Sequence, residues 1–358
     1  MLHRFLLASW TAIFGMLAGT AAFAQDRILF YDRAAKKENL ASGTIQEESA
    51  ARVTYKLGTS GAVKEIAGPD VIDIVYEVPG AIKLDYSRAN GEERRAGDLS
   101  VKEAERKKAL GDAIKDYETL LPKLTGERYA AVRRHFQFKI ARLLARQAEE
   151  DNNLAESAIG ALSQFLKDNP VTWQVIPCAR TLAKLQLARG DAEGARRTYE
   201  QLAAAPELPA PIKQECDLNV AEALILGKKF GEAETRLQSL LKSTPSEQPQ
   251  SQRIRVLLAQ CSGASGKLAE AVKELEAIIN QTADKALKAA AYNALGDCYR
   301  LNGKPREAMW PYLWVDVIYH QDKEQHIKAM EQLAKIFDDQ GEKARARHYR
   351  ERLQREQR

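Results

Sequence analysis

Small side chains recur at a nearly constant interval in the second half of this 358-residue chain. They are Ala183, Ala221, Ala259, Gly296 and Ala334, which follow one another by 38, 38, 37 and 38 residues. An alanine stands 12 residues after each of them. Two small residues at this spacing let two antiparallel helices cross closely. The pattern therefore predicts a series of helical hairpins, which must stack because a single hairpin cannot bury its own apolar face.

A turn residue stands between the two small positions of each copy. In chain order, the residues at this place are Gly190, Lys228, Gly266, Gly303 and Gly341. Glycine suits a tight turn because it accepts a positive φ at little cost, and it commonly follows the last residue of a helix. An earlier copy begins at Phe136, where the second small residue, Ala158, lies 17 rather than 12 residues after Ala141. We therefore expect a longer turn at 149–153 in that copy.

One segment carries the repeat most clearly. It is 291–312, AYNALGDCYRLNGKPREAMWPY, with an aromatic residue before Leu-Gly and a later glycine and alanine in register. This segment resembles the tetratricopeptide repeat, and the resemblance covers about 133–358, roughly six copies. The copies are 37–38 residues long, against about 34 in that family. The resemblance implies a mainly α fold: a tetratricopeptide-type α-solenoid of about six helical hairpins, with 99–132 as a leading helix that caps it.

The resemblance also implies where a partner would bind. The family binds extended peptides or helices in a groove lined by the first helix of each hairpin, so it implies a protein or peptide partner. The outward-facing groove positions would be Arg142, Arg146, Arg180, Lys184, Glu222, Arg253, Gln260, Asn293, Asp297 and Arg300. Such a groove would be basic at its N-terminal end and mixed in charge at its C-terminal end.

A row of aromatic and apolar residues marks the second helix of the clearest copy. Trp310, Trp314 and Ile318 follow one another at i, i+4 and i+8, which places them on one helical face. If that face is exposed, it is a surface for a partner or for a second copy of the chain. The alternative is that both tryptophans pack against the following helix.

Residues 26–86 differ from the helical part, because β-branched and aromatic residues alternate there with polar ones. Short strands with Gly-bearing turns between them are predicted at 28–31, 43–48, 52–57, 62–66 and 71–78. Their order resembles that of a small Sm-like β-barrel. The sequence thus predicts a small antiparallel β domain at 26–86, followed by a linker at 87–98.

The first 24 residues have the three parts of a secretory signal peptide. His3 and Arg4 form a basic head, an uncharged stretch follows, and Ala22-Phe23-Ala24 suits cleavage before Gln25. We therefore expect an exported protein of the periplasm or cell envelope, with 1–24 removed. The alternative is an uncleaved leader that acts as a membrane anchor, because its apolar run approaches the length that spans a bilayer.

Metal, redox and nucleotide chemistry find little support in the sequence. The four cysteines, Cys178, Cys216, Cys261 and Cys298, lie at matching places in neighbouring repeats and form no C-x-x-C. Stacked helices are ~8–10 Å apart, beyond the ~7 Å limit for a disulfide, so free buried thiols are expected. The five histidines show no spacing typical of a metal site. No cofactor motif occurs, so neither a cofactor nor a metal is predicted.

The net charge argues weakly against nucleic acid as a partner. The chain has 54 Lys and Arg against 49 Asp and Glu, a formal net charge of +5, which gives no strong electrostatic attraction to nucleic acid or anionic lipid. A homo-oligomer is left open by these observations.

Three functions follow from this reading. The first is a non-enzymatic scaffold of the cell envelope that binds protein or peptide partners through the solenoid groove. The second is a membrane-tethered assembly factor with an uncleaved leader. The third is an enzyme, or an accessory subunit of an envelope enzyme, with an active site in the β domain that would use carboxylates such as Asp32, Glu47, Glu48 and Asp70.

Overall fold

The structure is a computed structural model that describes residues 25–58 and 61–357. The predicted signal peptide, 1–24, lies outside the described residues. No helix within the described ranges is long and apolar enough to cross a membrane. The chain forms two compact units. Of the described residues, unit 1 contains 25–191 and 201–212, and unit 2 contains 192–200 and 213–357.

Unit 1 begins with a five-stranded antiparallel sheet. Its strands are β1 (Asp26–Asp32), β2 (Lys37–Glu48), β3 (Arg52–Lys56), β4 (Val63–Ala67) and β5 (Val71–Val75). They are ordered β4-β3-β2-β1-β5 across the sheet. The predicted antiparallel sheet is confirmed, although β2 starts six residues before the predicted Gly43. It starts early because its first half pairs with β1, from Lys37 opposite Asp32 to Gly43 opposite Asp26. The resemblance to an Sm-like barrel stays a prediction.

The helices of unit 1 pack on the sheet. They are α1 (Lys83–Gly97), α2 (Glu103–Leu120), α3 (Ala130–Glu150), α4 (Ala155–Asp168) and α5 (Val175–Ala188). Ile28 and Ile74 of the sheet share one continuous core with Tyr117 and Phe136 of the helices, and all four are fully buried. The sheet and these helices are therefore parts of one folded body.

The structure corrects the prediction of a linker at 87–98. It is helical up to Gly97, and α1 forms a helical hairpin with α2. The leading helix predicted at 99–132 corresponds to α2, which ends at Leu120. Helix α1 was hard to predict because most of its residues are polar and its buried residues are Tyr86, Ala89 and Ala96. Those three positions nevertheless share one helical face, at i, i+3 and i+10.

The remaining helices continue the series of hairpins. They are α6 (Ala192–Ala203), α7 (Ala210–Leu226), α8 (Phe230–Ser243), α9 (Pro249–Ala264), α10 (Leu268–Gln281), α11 (Lys285–Leu301), α12 (Pro305–Val317), α13 (Lys323–Asp339) and α14 (Lys343–Gln357). The five recurring small residues lie one each in α5, α7, α9, α11 and α13, and the alanines 12 residues later lie in α6, α8, α10, α12 and α14. All ten are buried. The repeat pattern is therefore confirmed.

The turns between paired helices have the same geometry in five copies. The residues predicted at the turn have φ of 78° at Gly190, 59° at Lys228, 90° at Gly266, 71° at Gly303 and 78° at Gly341. In each copy the next residue donates its N–H to a carbonyl five positions earlier, as from Lys229 to Leu224 at 2.8 Å and from Lys304 to Tyr299 at 2.9 Å. This is the hydrogen bond of a Schellman motif, which ends a helix with a left-handed residue. The longer turn predicted at 149–153 is largely wrong: Glu149 and Glu150 belong to α3, and the turn at 151–154 has four residues against three in the other hairpins. Most of the extra residues of this copy therefore lengthen α3.

The four cysteines are free and buried. Burial raises the pKa of the Cys261 and Cys298 thiols to about 12. The thiols are thus protonated near neutral pH and pack as small apolar groups. The prediction of free buried thiols is confirmed.

Candidate interaction surfaces

Side chains from the first helices of unit 2 form three groups of polar contacts between successive helices. We call them together the first-helix ladder, which consists of Glu222 of α7, Arg253 and Gln260 of α9, Asn293 and Asp297 of α11, and Gln325 and Lys328 of α13. At one end, Arg253 Nη2 donates to Glu222 Oε1 at 2.6 Å. Both side chains remain partly exposed. This end of the ladder can therefore reach a partner directly.

The middle of the ladder is organised around Asp297. Its carboxylate accepts from Gln260 Nε2 at 2.8 Å and from Tyr312 Oη at 2.6 Å. Lys328 Nζ lies 2.9 Å from the same carboxylate, and its side chain is 34% exposed, whereas that of Asp297 is 6% exposed. A buried carboxylate is stable only when it is paired and hydrogen-bonded, and these three contacts meet that need. Lys328 is thus the exposed member of a buried polar network.

The other end of the ladder is an amide pair. Asn293 Nδ2 donates to both the backbone oxygen and Oε1 of Gln325, each at 2.9 Å. The expectation that Gln260, Asn293 and Asp297 face outward is wrong, because all three are buried. Gln260 and Asp297 hydrogen-bond one another between successive first helices, whereas Asn293 bonds Gln325 and its buried Oδ1 has no partner among the described residues. Arg300 is exposed, as predicted.

The exposed charges of the ladder influence one another across several helices. Glu222 is the main cause that raises the pKa of Arg253, and Glu324 and Asp322 raise it further. Burial lowers the pKa of Lys328, but Asp297, Glu222 and Glu324 outweigh burial and leave that pKa above its usual value. Because the same two glutamates act on both cations, side chains of α7, α9 and α13 share one electrostatic surface.

Unit 1 contains the predicted basic positions of the groove. Arg142 lies over the ring of Phe138, with Cζ 5.2 Å from the ring centroid, and is half-buried. Arg146 is also half-buried and donates to the backbone oxygen of Ala96. Arg180 is half-buried as well. Lys184 is exposed and forms an ion pair with Glu149. Of the four, Lys184 alone presents a largely exposed charge.

A second surface lies on the outer face of α12. We call Trp310, Trp314, Val317 and Ile318 the α12 face, and these side chains are 63%, 47%, 62% and 45% exposed. Trp314 stacks on Tyr292 with ring centroids 5.9 Å apart and an angle of 11° between the planes. Tyr292 in turn stacks on Tyr319 at 5.5 Å. The alternative in which both tryptophans are buried against the following helix is therefore wrong.

A buried ionic cluster in unit 1 joins the sheet to three helices. Lys139 of α3 is 2% exposed, and its Nζ lies 2.6 Å from Asp73 of β5 and 2.9 Å from Glu93 of α1. Tyr117 of α2 donates to Glu93 at 2.8 Å. His135 Nε2 lies 3.2 Å from Asp73, without the alignment of a hydrogen bond. The cluster thus links β5, α1, α2 and α3 through ion pairs and a hydrogen bond in the core.

Nearby, Glu48 forms a second node of the same kind. At the end of β2, it accepts from Tyr76 Oη at 2.8 Å and from Trp173 Nε1 at 3.1 Å. Arg134 of α3 lies 2.8 Å from the other carboxylate oxygen. The repeat pattern could not reveal these contacts, because they join residues far apart in the sequence. The one signal was the basic run Arg133-Arg134-His135 followed by Lys139 on a helix that also has to bury Phe136 and Phe138.

Comparisons with known proteins bear on the fold. The sequence matches no protein-family profile and no curated protein. A solved structure of a tetratricopeptide repeat protein from Parabacteroides merdae ATCC 43184 matches with a TM-score of 0.50 at 17% identity, over 75% of this chain and 93% of that one. The helical part of this chain has the tetratricopeptide-repeat fold.

Other solved structures with tetratricopeptide repeats also match. One is a thermophilic repeat protein of Thermus thermophilus, with a TM-score of 0.36 at 17% identity, over 55% of this chain and 98% of that one. Another holds the nearly identical repeats of a Podosopora anserina putative kinesin light chain, with a TM-score of 0.34 at 21% identity, over 52% of this chain and 94% of that one.

The four carboxylates of the β domain that were considered for catalysis each form a hydrogen bond or an ion pair within the protein. Asp32 accepts the N–H groups of Ala34 and Ala35 in the first hairpin turn. Asp70 pairs with Arg33 at 2.7 Å, and Glu47 pairs with Arg52 at 3.4 Å. Glu48 belongs to the buried node described above. Within the described residues, no three His, Cys, Asp or Glu side chains are placed to hold a metal ion.

Proposed function

We propose that this protein is a non-enzymatic scaffold of the cell envelope that binds a peptide or protein segment along the first-helix ladder of unit 2. The observation that carries the proposal is the set of polar contacts between successive first helices from α7 to α13, in which Glu222, Arg253 and Lys328 are at least partly exposed while Gln260, Asn293 and Asp297 are buried. The tetratricopeptide-repeat fold, which serves protein–protein interaction in this class of structure, supports the same reading.

The buried members of the ladder suit a binding surface because they hold the exposed ones in place. Lys328 is fixed by Asp297, and Asp297 is fixed by Gln260 and Tyr312. A partner that approaches Lys328 therefore meets a charge whose position is already set. Ordering a side chain on binding costs ~0.5–1.5 kcal/mol, and such preorganisation reduces that cost.

Site-specific photo-crosslinking in producing cells tests the proposal. A photoreactive residue at Arg253 or Arg300, both exposed on first helices, is expected to yield adducts of discrete mass. The matched control is Lys273, which is exposed on the second helix α10, and it is expected to yield none. Glu222→Arg reverses one of the ladder charges that the partner is proposed to contact, so it should weaken binding and abolish the adduct at Arg300. Equal labelling at all three positions, or no adduct at any of them, would contradict the proposal.

The location in the cell envelope has its own test. The mass of the protein isolated from cells distinguishes the two fates of the leader. A chain that starts at Gln25 supports export with cleavage, whereas a membrane-bound chain that retains 1–24 favours the tethered assembly factor. A full-length chain in the cytoplasmic fraction contradicts both.

A further inference from the structure

The outer face of α12 differs from the outer faces of the other second helices in unit 2. From Ala308 to Tyr319 the only charged residue is Asp316, and it is buried. The other second helices expose charged side chains at matching places of the repeat: Lys273 of α10 corresponds to Trp310, and Lys242 of α8 and Arg355 of α14 correspond to Val317. Charge is what normally keeps such a face in water, so its loss on one helix alone indicates a contact surface.

The α12 face is held in shape before any partner arrives. Trp314 is stacked on Tyr292, and Tyr319 lies beside both rings. Asp316 points the other way, where it accepts from Tyr349 Oη at 2.9 Å and from Arg352 at 2.7 Å. The face therefore has Trp314 anchored at its centre, and a ring that is already stacked loses little conformational entropy when it is covered.

The size of the face fits one side of an interface between two chains. With typical side-chain areas of ~150–250 Å², the exposed fractions leave roughly 400 Å² of apolar surface on the four residues. A standard interface buries about 800 Å² per partner, of which about 56–58% is apolar. The two apolar areas are similar, so the face with its polar surroundings is large enough for a stable dimer.

The distribution of charge around the face favours one orientation. Arg306 and Glu307 stand before it at the N-terminal end of α12, whereas the uncharged Gln321 and the histidine His320 follow it at the other end. A two-fold arrangement with parallel helices would place Arg306 on Arg306 and Glu307 on Glu307. An antiparallel arrangement about Trp314 removes both of these like-charge contacts and also opposes the helix dipoles favourably.

We propose that the α12 face is the contact between two copies of this chain, with their α12 helices antiparallel about a two-fold axis near Trp314. This inference is independent of the first-helix ladder. In the dimer, Trp310 of one copy lies beside Ile318 of the other. Trp310 and Ile318 are eight residues apart, or about 12 Å along α12. Identical residues of the two copies are therefore well separated at both ends of the contact.

Sedimentation of the protein, purified in the form that the cell produces, tests the dimer. We expect a concentration-dependent equilibrium between monomer and dimer. Trp310→Glu and Val317→Glu should each raise the dimer dissociation constant at least tenfold, since each places a charge in the apolar contact. Both side chains are largely exposed, so the variants should keep the far-UV circular dichroism of the parent. Ser239→Glu, on the outer face of α8, is the matched control and should leave the constant unchanged.

Disulfide trapping tests the orientation. A mixture of the Trp310→Cys and Ile318→Cys proteins should form an intermolecular disulfide, and neither protein alone should do so, because a disulfide requires Cα atoms within ~7 Å. The natural cysteines are buried and should not interfere. The proposal is overturned by a protein that is monomeric at all concentrations, whether or not the face then binds lipid vesicles or another protein. It is also overturned by a dimer that resists both glutamate variants, or by efficient trapping of either cysteine variant alone.

Discussion

Gly296 lies directly against the aromatic ring of Tyr312. A β-carbon built on Gly296 would stand 2.6 Å from Cζ of that ring, closer than real Cβ atoms approach any neighbour. The ring cannot easily move away, because Tyr312 Oη donates to Asp297 Oδ1 at 2.6 Å. This contact explains why a glycine, rather than an alanine, stands in α11 at the recurring small position.

Gly296→Ala should therefore destabilise the protein, although alanine has the higher helix propensity. We expect a loss of about 1–3 kcal/mol in the free energy of unfolding, the usual cost of overpacking. Gly160→Ala is the control, because Gly160 lies in α4 and a methyl group added there would have no neighbouring atom within 4 Å. It should stabilise by about 0.5–1 kcal/mol. Chemical denaturation measures both, and a neutral Gly296→Ala would show that the hairpin adjusts freely.

Lys228 occupies a turn position at which the four other copies have glycine. Its φ of 59° places a non-glycine residue in the left-handed region, which costs roughly 1 kcal/mol. Lys228→Gly should therefore raise the free energy of unfolding by up to about 1 kcal/mol. Lys267→Gly is the control, since Lys267 has a φ of −92° and should gain nothing. An equal effect of the two variants in thermal denaturation would refute the argument from backbone strain.

Lys139 is the cation on which the buried ionic cluster depends. Lys139→Met leaves Asp73 and Glu93 with no cation in the core, so we expect a loss of about 3–5 kcal/mol in the free energy of unfolding. Lys184→Met removes a cation from a pair whose lysine side chain is 72% exposed, and should change stability by less than about 1 kcal/mol. Comparable losses in urea denaturation would contradict the structural role given to the cluster.

The buried cluster also predicts a stability that falls in acid. Burial lowers the pKa of His135 in the folded protein. Below about pH 6.5 the histidine is therefore protonated more readily in the unfolded chain than in the folded one, which lowers stability. Burial raises the pKa of Asp73, but Lys139 and His135 outweigh burial and hold that pKa well below its usual range. Stability due to Asp73 is thus present above about pH 4 and is lost below it.

His135→Gln isolates the histidine contribution to this pH dependence. Between pH 7.5 and 5.5, the free energy of unfolding of the natural protein should fall more steeply than that of the variant. The difference in slope should reach at most about 1.4 kcal/mol per pH unit, the limit for one proton. Below pH 4 both proteins should still lose stability, because Asp73 and Lys139 are retained in the variant. Parallel slopes over the upper interval would mean that the pKa of His135 is the same in the folded and the unfolded chain.

Asp316 holds the last helix in place. It accepts from His326 at 2.8 Å, from Tyr349 at 2.9 Å and from Arg352 at 2.7 Å, and so joins α12, α13 and α14. Asp316→Ala should increase amide hydrogen exchange throughout α14, because these donors lose their acceptor. Asp338→Ala removes the exposed α13 partner of Arg350, which lies on α14, and should leave the exchange of α14 nearly unchanged. Equal protection in the two variants would refute this role of Asp316.

The repeat could be predicted from the sequence because each copy meets the same packing requirement. Ala221 and Ala259 are buried where neighbouring helices cross, and only a small side chain fits there, so the requirement is visible as a period. The exposed α12 face was partly predictable too, because Trp310 and Trp314 lie off the inward positions held by Tyr312 and Val315. Whether such residues are exposed or pack against another helix depends on tertiary contacts that cannot be predicted from the repeat spacing.

The polar networks were not predictable in this way. Asp297 and Gln260 occupy positions that look outward on a regular helix, yet they bury one another because successive first helices approach closely. Lys139 and Asp73 are 66 residues apart, and one belongs to a helix and the other to a strand. No local pattern relates them, since the contact arises only when the sheet packs on α3.

The charges of the first-helix ladder already neutralise one another in the unbound protein. An incoming chain therefore meets Glu222, Arg253 and Lys328 in their existing ion pairs, while the buried Asp297 keeps Lys328 in place. Because the two cations and two carboxylates sum to zero, affinity should vary little with ionic strength. A ligand that carries charges of one sign is disfavoured, because it would meet charges of both signs along the ladder.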